Sequence, residues 1–340
     1  MGYAGKIIKN ASFKKMKGAI KNVKKKTTKS SASIFFDMMS CARKYGAGYY
    51  DYQIFAFYDL NRAQRRTYLT RFKNKNFIMY MNDQEVAEKF ENKDEFNDLF
   101  KDFIGRDFIR IDTADKETVR EFVKGKKYLF CKPRSAECGK GIEKVDTEAF
   151  DSFDALYEYL TTHNFYNIEE CVIQHPQMDV LYPKAVNCMR IITLIGDDGK
   201  PHLVYIVQKM GYNGRFLDNN GLFSPVDPKT GKMKYPAHSG DTLKGIIYEE
   251  HPDTHVKIAG FQLPFVPEAV EMCLKAAMVE PRVRYVGWDV AITEKGPVII
   301  EGNPYCAHDF WQLPPHTPNK IGIIPTLRKY VPSFFEKYHY

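Results

Sequence analysis

The most strongly patterned segment of this 340-residue chain is Val283-Arg-Tyr-Val-Gly-Trp-Asp-Val-Ala-Ile-Thr-Glu-Lys-Gly-Pro-Val-Ile-Ile-Glu-Gly-Asn303. Two apolar runs flank a short polar turn, and this pattern predicts a β-hairpin. With the turn centred on Lys295, antiparallel pairing places Asp289 opposite Glu301, and two-residue alternation puts Asn303 on the same face. The residues expected on the opposite, core-facing side are apolar: Trp288, Val290, Ile292, Val298 and Ile300.

The polar face of this hairpin predicts a metal site. Two carboxylates on paired strands repel each other unless a cation lies between them. Mg²⁺ takes one or two protein carboxylates and completes its shell with water and phosphate oxygens. We therefore expect Asp289, Glu301 and Asn303 to hold Mg²⁺. The alternative, a solvated sheet face, would more naturally carry mixed charges.

A second motif is the segment Lys132-Pro-Arg-Ser-Ala-Glu-Cys-Gly-Lys-Gly141, which follows the apolar strand predicted at 128–131. Backbone N–H groups of a glycine-bearing loop can lie against phosphate, and a lysine at the strand end can reach the same anion. The loop is not a Walker A motif, because no glycine stands five residues before Gly139 and neither Ser nor Thr follows Lys140. By itself the motif is weak, since Gly-Lys-Gly turns are common.

Composition excludes several classes of protein. Apolar residues make up 44% of the chain and charged residues 27%, as in soluble globular proteins. No apolar run is long enough for a transmembrane helix, and none follows the N-terminal lysines as in a secretory signal. The cysteines are odd in number and form no C-x-x-C pair, which indicates reduced thiols in a cytoplasmic protein rather than disulfides or a cysteine zinc site.

The net charge of +8 comes from residues 1–30, which hold ten lysines and no acidic residue. Because the charge is not spread over a folded face, we expect no nucleic-acid partner. Apolar residues recur at helical spacing among these lysines: Met16, Ala19, Ile20 and Val23. One interpretation is an amphipathic helix lying on an anionic membrane at its inner face. The other is a solvated tail that ends in a linker at 26–33.

Residues 34–81 are rich in aromatic side chains with arginines and lysines between them. Stacking on nucleic acid is one interpretation. We favour helices whose aromatic faces form a core.

Further along, the pattern predicts helices near 82–92 and after Lys93, strands at 109–111 and 170–173, and a hairpin of residues 186–195 and 202–210. A helix at 269–277 follows a long loop-rich stretch.

Taken in chain order, these motifs resemble an ATP-grasp enzyme, and more closely the sugar-transfer-associated ATP-grasp family, over about residues 45–315. The segments that carry the resemblance are Lys132-Pro with Gly-Lys-Gly-Ile142, Ile168-Glu-Glu-Cys-Val-Ile173, Asn187-Cys-Met-Arg190, Gly287-Trp-Asp-Val-Ala-Ile292 and Glu301-Gly-Asn303. Asn92-Lys-Asp-Glu-Phe96, Gln174-His-Pro176, Leu217-Asp-Asn219 and Val226-Asp-Pro-Lys-Thr-Gly231 match as well.

The resemblance implies an α+β, ATP-grasp fold in which two α+β subdomains clamp a nucleotide between antiparallel sheets, preceded by a helical, aromatic-rich region. The expected divisions are a basic arm and linker (1–33), a helical region (34–110), a lid subdomain with the glycine loop (111–175), a C-terminal subdomain with the metal site (176–325) and a tail (326–340).

The resemblance also implies ATP and Mg²⁺ as cofactors and assigns roles by position. Lys93, Lys132 and the loop residues Cys138, Gly139, Lys140 and Gly141 would contact phosphates. Glu170, Cys171 and Ile173 would contact adenine, and Gln177 stands near the place of the usual ribose-binding acid. Arg190 would be catalytic together with Lys132 and Lys209. Asn187, Asp218, Asn219 and His308 are candidate substrate contacts, although Asn187 would face away from Arg190 in a regular strand.

The activity implied is an ATP-dependent carboxylate–amine ligase that forms an amide through an acyl phosphate. By analogy with sugar transfer, the substrates would be a sugar-linked or other small acid and an amine, in surface-polysaccharide or sugar-conjugate biosynthesis. One alternative is a phosphotransferase that passes the γ-phosphoryl group to a hydroxyl. The other is a membrane-tethered adaptor without catalysis.

Overall fold

The structure is a computed structural model that describes residues 13–133, 141–215 and 221–340. Within these residues, helices surround a four-stranded sheet of order β1-β4-β2-β3 and a seven-stranded sheet of order β11-β10-β5-β6-β7-β8-β9. Every strand pair is antiparallel, so the α+β class predicted from the sequence is confirmed. No helix in the described ranges is long and apolar enough to cross a membrane.

The seven-stranded sheet contains both predicted hairpins. Its strands are β5 (Met189–Ile195), β6 (Pro201–Met210), β7 (Leu222–Val226), β8 (Ala237–Ser239), β9 (Ile247–Tyr248), β10 (Tyr285–Thr293) and β11 (Gly296–Asn303). The central strands are apolar on both faces because both faces are covered. Helix α11 (Val266–Ala277) packs on one face, and the N- and C-terminal helices pack on the other.

The register of the β10–β11 hairpin is as predicted only away from its turn. There Asp289 pairs with Glu301. A β-bulge lies directly after Asp289. Between the bulge and the turn, the register of the two strands is therefore shifted by one residue. Ile299 therefore faces the core, whereas Val298 and Ile300, which the sequence pattern placed there, are only half-buried, so that part of the prediction was wrong.

The four-stranded sheet and its two packed helices, termed the lid, have their own small core. Its strands are β1 (Phe108–Arg110), β2 (Tyr128–Lys132), β3 (Glu143–Asp146) and β4 (Asn167–Glu170), and helices α8 (Lys116–Val123) and α9 (Phe153–Thr162) pack against it. The sheet begins at Phe108, three residues before the expected subdomain boundary. The strand predicted at 170–173 was misplaced by three residues, because the pattern followed the apolar run of residues 171–173 rather than buried Ile168.

The N-terminal region is helical, and its rings form a core. Its helices are α1 (Phe13–Lys24), α2 (Ser31–Tyr45), α3 (Tyr49–Ile54), α4 (Arg62–Arg66) and α5 (Arg71–Met81), and the C-terminal helices α12 (Ile324–Tyr330) and α13 (Pro332–Tyr338) join them. Tyr52, Phe55, Phe57, Tyr68 and Phe77 are fully buried against the sheet. These rings are therefore not available to stack on nucleic acid.

Helix α1 shows that residues 13–24 of the basic arm do not form a free amphipathic segment. Met16, Ala19 and Val23 are buried against α2 and α3, so the apolar face that would enter a membrane already packs on the protein. Ser30 caps α2 through a hydrogen bond from Ser33 N. The predicted linker at 26–33 thus ends three residues early, where α2 begins.

Three shorter helices connect the large sheet to the lid: α6 (Gln84–Glu91), α7 (Lys93–Leu99) and α10 (Pro176–Leu181). Asp83 caps α6. Asn82 donates through Nδ2 to the carbonyls of Tyr285 (2.9 Å) and Pro304 (2.7 Å). It therefore joins the start of β10 to the segment after β11.

Candidate active site

The first charged cluster lies on the large sheet, where Arg190 of β5 sits directly across from Asp289 of β10. The guanidinium donates to both carboxylate oxygens, Nε to Oδ1 at 2.5 Å and Nη2 to Oδ2 at 2.7 Å. Lys209 of β6 reaches the same Oδ2 at 3.2 Å. Cross-strand pairing thus brings together three of the predicted residues, and all three side chains are largely buried.

Charge compensation keeps this cluster ionised despite its burial. Desolvation alone would raise the pKa of Asp289, but the nearby Arg190 and Lys209 charges hold it well below its usual range. The same pairing raises the pKa of Arg190 although burial opposes it. The sequence analysis expected a cation beside the carboxylate of Asp289. In this structure the side chains of Arg190 and Lys209 supply that positive charge.

Glu301 completes the polar face but differs from Asp289 in exposure. It lies across the hairpin from Asp289, and its side chain is 56% exposed, with Oε1 3.9 Å from Arg190 Nη2. Asn303, two residues along the strand, accepts a hydrogen bond from Tyr305 N at Oδ1.

As a metal site this donor set fits Mg²⁺ in part. Glu301 and Asn303 offer hard oxygen atoms, whereas both oxygens of Asp289 already pair with cations. Among the described residues no group of three His, Cys, Asp or Glu side chains could hold a metal ion. A magnesium ion bound here would therefore depend on phosphate oxygens for much of its shell.

The second charged cluster lies in the lid around Glu169 of β4. Arg106 Nε donates to Oε2 at 2.7 Å and Lys132 Nζ to Oε1 at 2.5 Å. Asn167 Nδ2 approaches Oε1 at 3.3 Å. The three charged side chains are less than a tenth exposed.

Both partners of the Lys132–Glu169 pair have lowered pKa values, but for different reasons. Desolvation lowers the pKa of Lys132 to about 8, although Glu169 opposes the shift. Burial would raise the pKa of Glu169, but Lys132 and Arg106 lower it to about 2. The cluster therefore holds two cations against one carboxylate at neutral pH, an excess of positive charge that suits phosphate.

Two residues join the clusters. Arg106 also donates to the backbone of β11, through Nη1 to Ile299 O (2.8 Å) and through Nη2 to Ile300 O (3.2 Å). Lys93, in the first turn of α7, has a pKa lowered by desolvation and raised in part by two carboxylates, those of Glu169 and Glu301. Lys93 therefore lies in the field of both clusters, in the gap between lid and large sheet.

The predicted adenine-contacting residues lie at and beyond the end of β4. Glu170 is the last strand residue, and its N–H pairs with Asp107 O at 3.0 Å. Cys171 and Ile173 follow outside the ladder, and Ile173 is 81% exposed. Cys138, Gly139 and Lys140 of the glycine loop lie outside the described residues, as do Asp218 and Asn219. Gly141 is described and has a φ of +75°, which favours glycine.

Two predicted residues make hydrogen bonds within the protein. Asn187 lies outside β5, with Nδ2 bonded to Gln174 Oε1 and to the carbonyls of Met178 and Tyr182. It fixes the end of α10 and does not join Arg190. Gln177 is on α10 and donates to Gln262 O at 2.7 Å.

His308 lies in the segment after β11, two residues past Cys306, whose thiol lies in the electrostatic field of Arg190 and Asp289. Its Nε2 contacts Asp51 Oδ1 at 2.8 Å, and Asp51 Oδ2 accepts from Arg71 N at 3.2 Å. The neighbouring Asp309 accepts from Tyr50 O–H at 2.9 Å. Asp51 and Tyr50 of the helical region thus hold the segment that follows β11.

The sequence reasoning missed Arg106 and Glu169. One signal for Glu169 was available: polar Asn167 and Glu169 alternate around apolar Ile168, as expected for a half-polar strand. Arg106 lies in an irregular segment, and no pattern marked it.

A known protein family resembles this chain in sequence, and solved structures resemble it in fold. The sequence profile of the family described as sugar-transfer-associated ATP-grasp matches residues 72–329. No curated protein matches the chain in sequence.

Solved structures of ATP-grasp ligases resemble the fold loosely. The ligase PsnB, complexed with minimal precursor, Mg and ADP, is 14% identical, with a TM-score of 0.38 over 65% of this chain and 52% of that one. The ADP complex of purK, N5-carboxyaminoimidazole ribonucleotide synthetase, is 11% identical, with a TM-score of 0.41 over 65% and 46%. N5-carboxyaminoimidazole synthetase from Staphylococcus aureus with ADP is 9% identical, with a TM-score of 0.40 over 65% and 46%. The matched part spans about half of each of these proteins, and likeness at this level carries no argument about activity.

Proposed function

The chain belongs to the sugar-transfer-associated ATP-grasp family, and from this premise we propose that it is an ATP-dependent carboxylate–amine ligase of sugar-conjugate synthesis. ATP and Mg²⁺ are its cofactors. The single observation that carries the proposal is that the carboxylates of both charged clusters, Glu169 and Glu301, lie in the electrostatic field of Lys93. One cluster has an excess of cations, and the other combines Arg190 with the open carboxylate of Glu301.

The phosphates of ATP would bind between these clusters. Lys132 and Lys93 lie on the lid side of the gap and supply positive charge. Glu169 pairs with both Arg106 and Lys132, so its one carboxylate does not neutralise all of these cations. The irregular segment after β4, with exposed Ile173, is the proposed adenine contact. The role of the glycine loop and the ribose contact remain part of the proposal by family position alone.

The chemistry proposed has two steps. A substrate carboxylate oxygen attacks the γ-phosphorus of ATP, the bond to ADP breaks, and an acyl phosphate forms. An amine nitrogen then attacks the acyl carbon, the bond from that carbon to the phosphate oxygen breaks, and amide, phosphate and a proton leave. Arg190 stabilises the charge on the transferred phosphoryl group, since such catalysis is mainly positioning and electrostatic stabilisation.

Glu301 and Asn303 are the residues proposed to hold Mg²⁺, with Asp289 behind them. Mg²⁺, when bound, supplies further charge neutralisation to the phosphates. The protein's part is to leave Glu301 open to the gap while Arg190 and Lys209 occupy Asp289.

The experiment that tests this function is Mg-ATP-dependent hydroxamate formation from a pool of uronic acids, sugar-linked acids and amino acids. Hydroxylamine traps an acyl phosphate but not a phosphate monoester. Glu301→Ala is the inactive variant, and Glu294→Ala, in the exposed turn of the same hairpin, is its matched control.

A hydroxamate signal that Glu301→Ala loses and Glu294→Ala keeps supports the ligase. ADP release without hydroxamate indicates phosphoryl transfer to a hydroxyl instead. Silence in both assays, with ATP binding intact, contradicts both activities for this pool.

A further inference from the structure

A second cleft of about 620 Å³ opens between helix α5 and the segment 305–309 that follows β11. One wall carries Arg71 and Lys75, which are four residues apart and so lie on one face of the helix. Both side chains are exposed. The other wall carries His308 and Asp309. The cleft is thus cationic on one side and holds a base and an acid on the other.

The imidazole of His308 is held in one orientation. Its Nε2 contacts the buried carboxylate of Asp51, and the rings of Tyr50 and Phe55 pack beside it with centroids 6.4 and 5.7 Å away. When Nε2 donates to Asp51, the neutral ring carries its lone pair on Nδ1. Among the described residues Nδ1 has no hydrogen-bond partner. An imidazole fixed by a carboxylate is a common general base.

The cleft adjoins the catalytic cluster. A Cβ added to Gly287 would lie 3.1 Å from Arg190 Cδ and 3.3 Å from Cys306 Sγ, so these two side chains lie around the same small gap. Cys306 lines the cleft, two residues before His308. Cys306 is therefore a shared neighbour of the cleft and of Arg190.

We propose that this cleft binds the amine substrate, that the amine carries an anionic group, and that His308 accepts its proton. The anionic group would pair with Arg71 and Lys75, and the ammonium would face Asp309 and His308. This inference rests on the proposed ligase function. An amino acid is the simplest molecule with both charges.

In the amide-forming step, the ammonium group gives one proton to Nδ1 of His308 and becomes a neutral amine. The lone pair of this amine then forms the C–N bond. The bond between acyl carbon and phosphate oxygen breaks, and phosphate leaves with that electron pair. The second proton of the nitrogen is lost to solvent as the amide forms. Asp51 is a positioning residue that stabilises the resulting imidazolium.

The test compares two nucleophiles on the same acyl phosphate. Hydroxylamine is largely unprotonated at neutral pH and needs no base, whereas an amino acid is an ammonium ion. With the acid that gives hydroxamate and an equimolar pool of proteinogenic amino acids, we expect His308→Gln to lower the amide-to-hydroxamate ratio at least about 100-fold. His163→Gln, an exposed histidine on α9's C-terminal end, should leave the ratio at the wild-type value.

A merely structural role for His308 predicts that both products fall together and the ratio stays constant, which would overturn the proposal. Asp51→Asn should lower the same ratio, by less than His308→Gln, because it weakens the hold on the ring but leaves the base. Equal loss of both products in Asp51→Asn contradicts its positioning role.

The binding part has its own variant. Lys75→Glu should raise the KM for the amino-acid pool about tenfold, with no change for the matching pool of methyl esters, because only the free acids carry the anionic group. Lys44→Glu, at the exposed end of α2, is the charge-matched control. An equal effect on acids and esters would refute recognition of the anion.

If the wild-type protein forms no hydroxamate, the ligase function fails, and the cleft is then judged by binding alone. Saturation-transfer NMR of the amino-acid pool with Mg-ADP should show contact with the wild-type protein and lose it in Lys75→Glu. No contact with the wild-type protein would overturn the binding site.

Discussion

Two clusters in this protein have the same composition, a carboxylate held by one arginine and one lysine. In the lid these are Glu169, Arg106 and Lys132, and on the large sheet they are Asp289, Arg190 and Lys209. The lid cluster is closed and has one net positive charge. The sheet cluster has Glu301 beside it, which brings the local charge to zero and leaves a carboxylate open to the gap.

The difference comes from the position, within its sheet, of the strand that carries each glutamate. Glu169 lies on a strand with neighbours on both sides, so its oxygens are consumed by buried partners. Glu301 lies on the edge strand of the large sheet, where solvent and ligands can reach it. Identical side-chain chemistry can therefore favour an anion in one place and a cation in the other.

The largest expected effect comes from the two arginines. Arg190→Met should lower kcat for ADP release about 1000-fold or more, because the residue stabilises charge on the transferred phosphoryl group. Arg106→Met should mainly lower the melting temperature, because Arg106 ties the lid to β11. Steady-state kinetics and thermal unfolding of both variants separate the roles. A reduced melting temperature for Arg190→Met with unchanged kcat would reverse this assignment.

The two glutamates should differ in what they stabilise. Glu169→Gln should reduce the free energy of unfolding by about 3–5 kcal/mol, since it leaves two buried cations without their carboxylate. Glu301→Gln should cost less than about 1 kcal/mol, because its side chain is largely open to solvent. Instead it should raise the Mg²⁺ concentration needed for activity at least about tenfold. Urea unfolding and Mg²⁺ titrations measure both; similar stability losses in the two variants would contradict the contrast.

The lowered pKa of Lys132 predicts a pH dependence of ATP use. With a pKa of about 8, Lys132 is charged below that pH and loses its charge as pH rises through it. Because phosphate binding needs the charged form, kcat/KM for ATP should be level below about pH 7 and fall about tenfold per pH unit above 8. Lys132→Arg should remove this fall, since arginine stays charged. A fall that persists in Lys132→Arg would assign it to another group.

The smallest expected effect tests the packing behind Arg190. A Cβ at position 287 would lie 2.8 Å from Ile192 Cδ1 as well as close to Arg190, so Gly287→Ala should cost about 1–3 kcal/mol and lower kcat by displacing the guanidinium. Gly302→Ala is the control, because it crowds Phe96 and Trp288 on the opposite face instead. Comparable kcat losses in both variants would show that hairpin strain, not Arg190, is responsible.

Much of the sheet cluster could be predicted from the sequence because its members lie on strong hairpins. Asp289 and Glu301 follow from pairing within one hairpin, whereas the family resemblance supplied Arg190 and Lys209 on the two strands of the other. The lid cluster could not be predicted, since Glu169, Lys132 and Arg106 come from separate strands and an irregular segment whose order in the sheet no local pattern specifies.

By itself, the sequence determined the two hairpins, because alternation and turn residues act over short distances along the chain, and the order of its motifs determined the family resemblance that implied the α+β fold. Only the tertiary structure decided that α1 packs on the protein, that a bulge turns Ile299 to the core, and that Asp51 meets His308. These outcomes depend on contacts between residues far apart in the chain, where burial and charge pairing, rather than local pattern, set the lowest free energy.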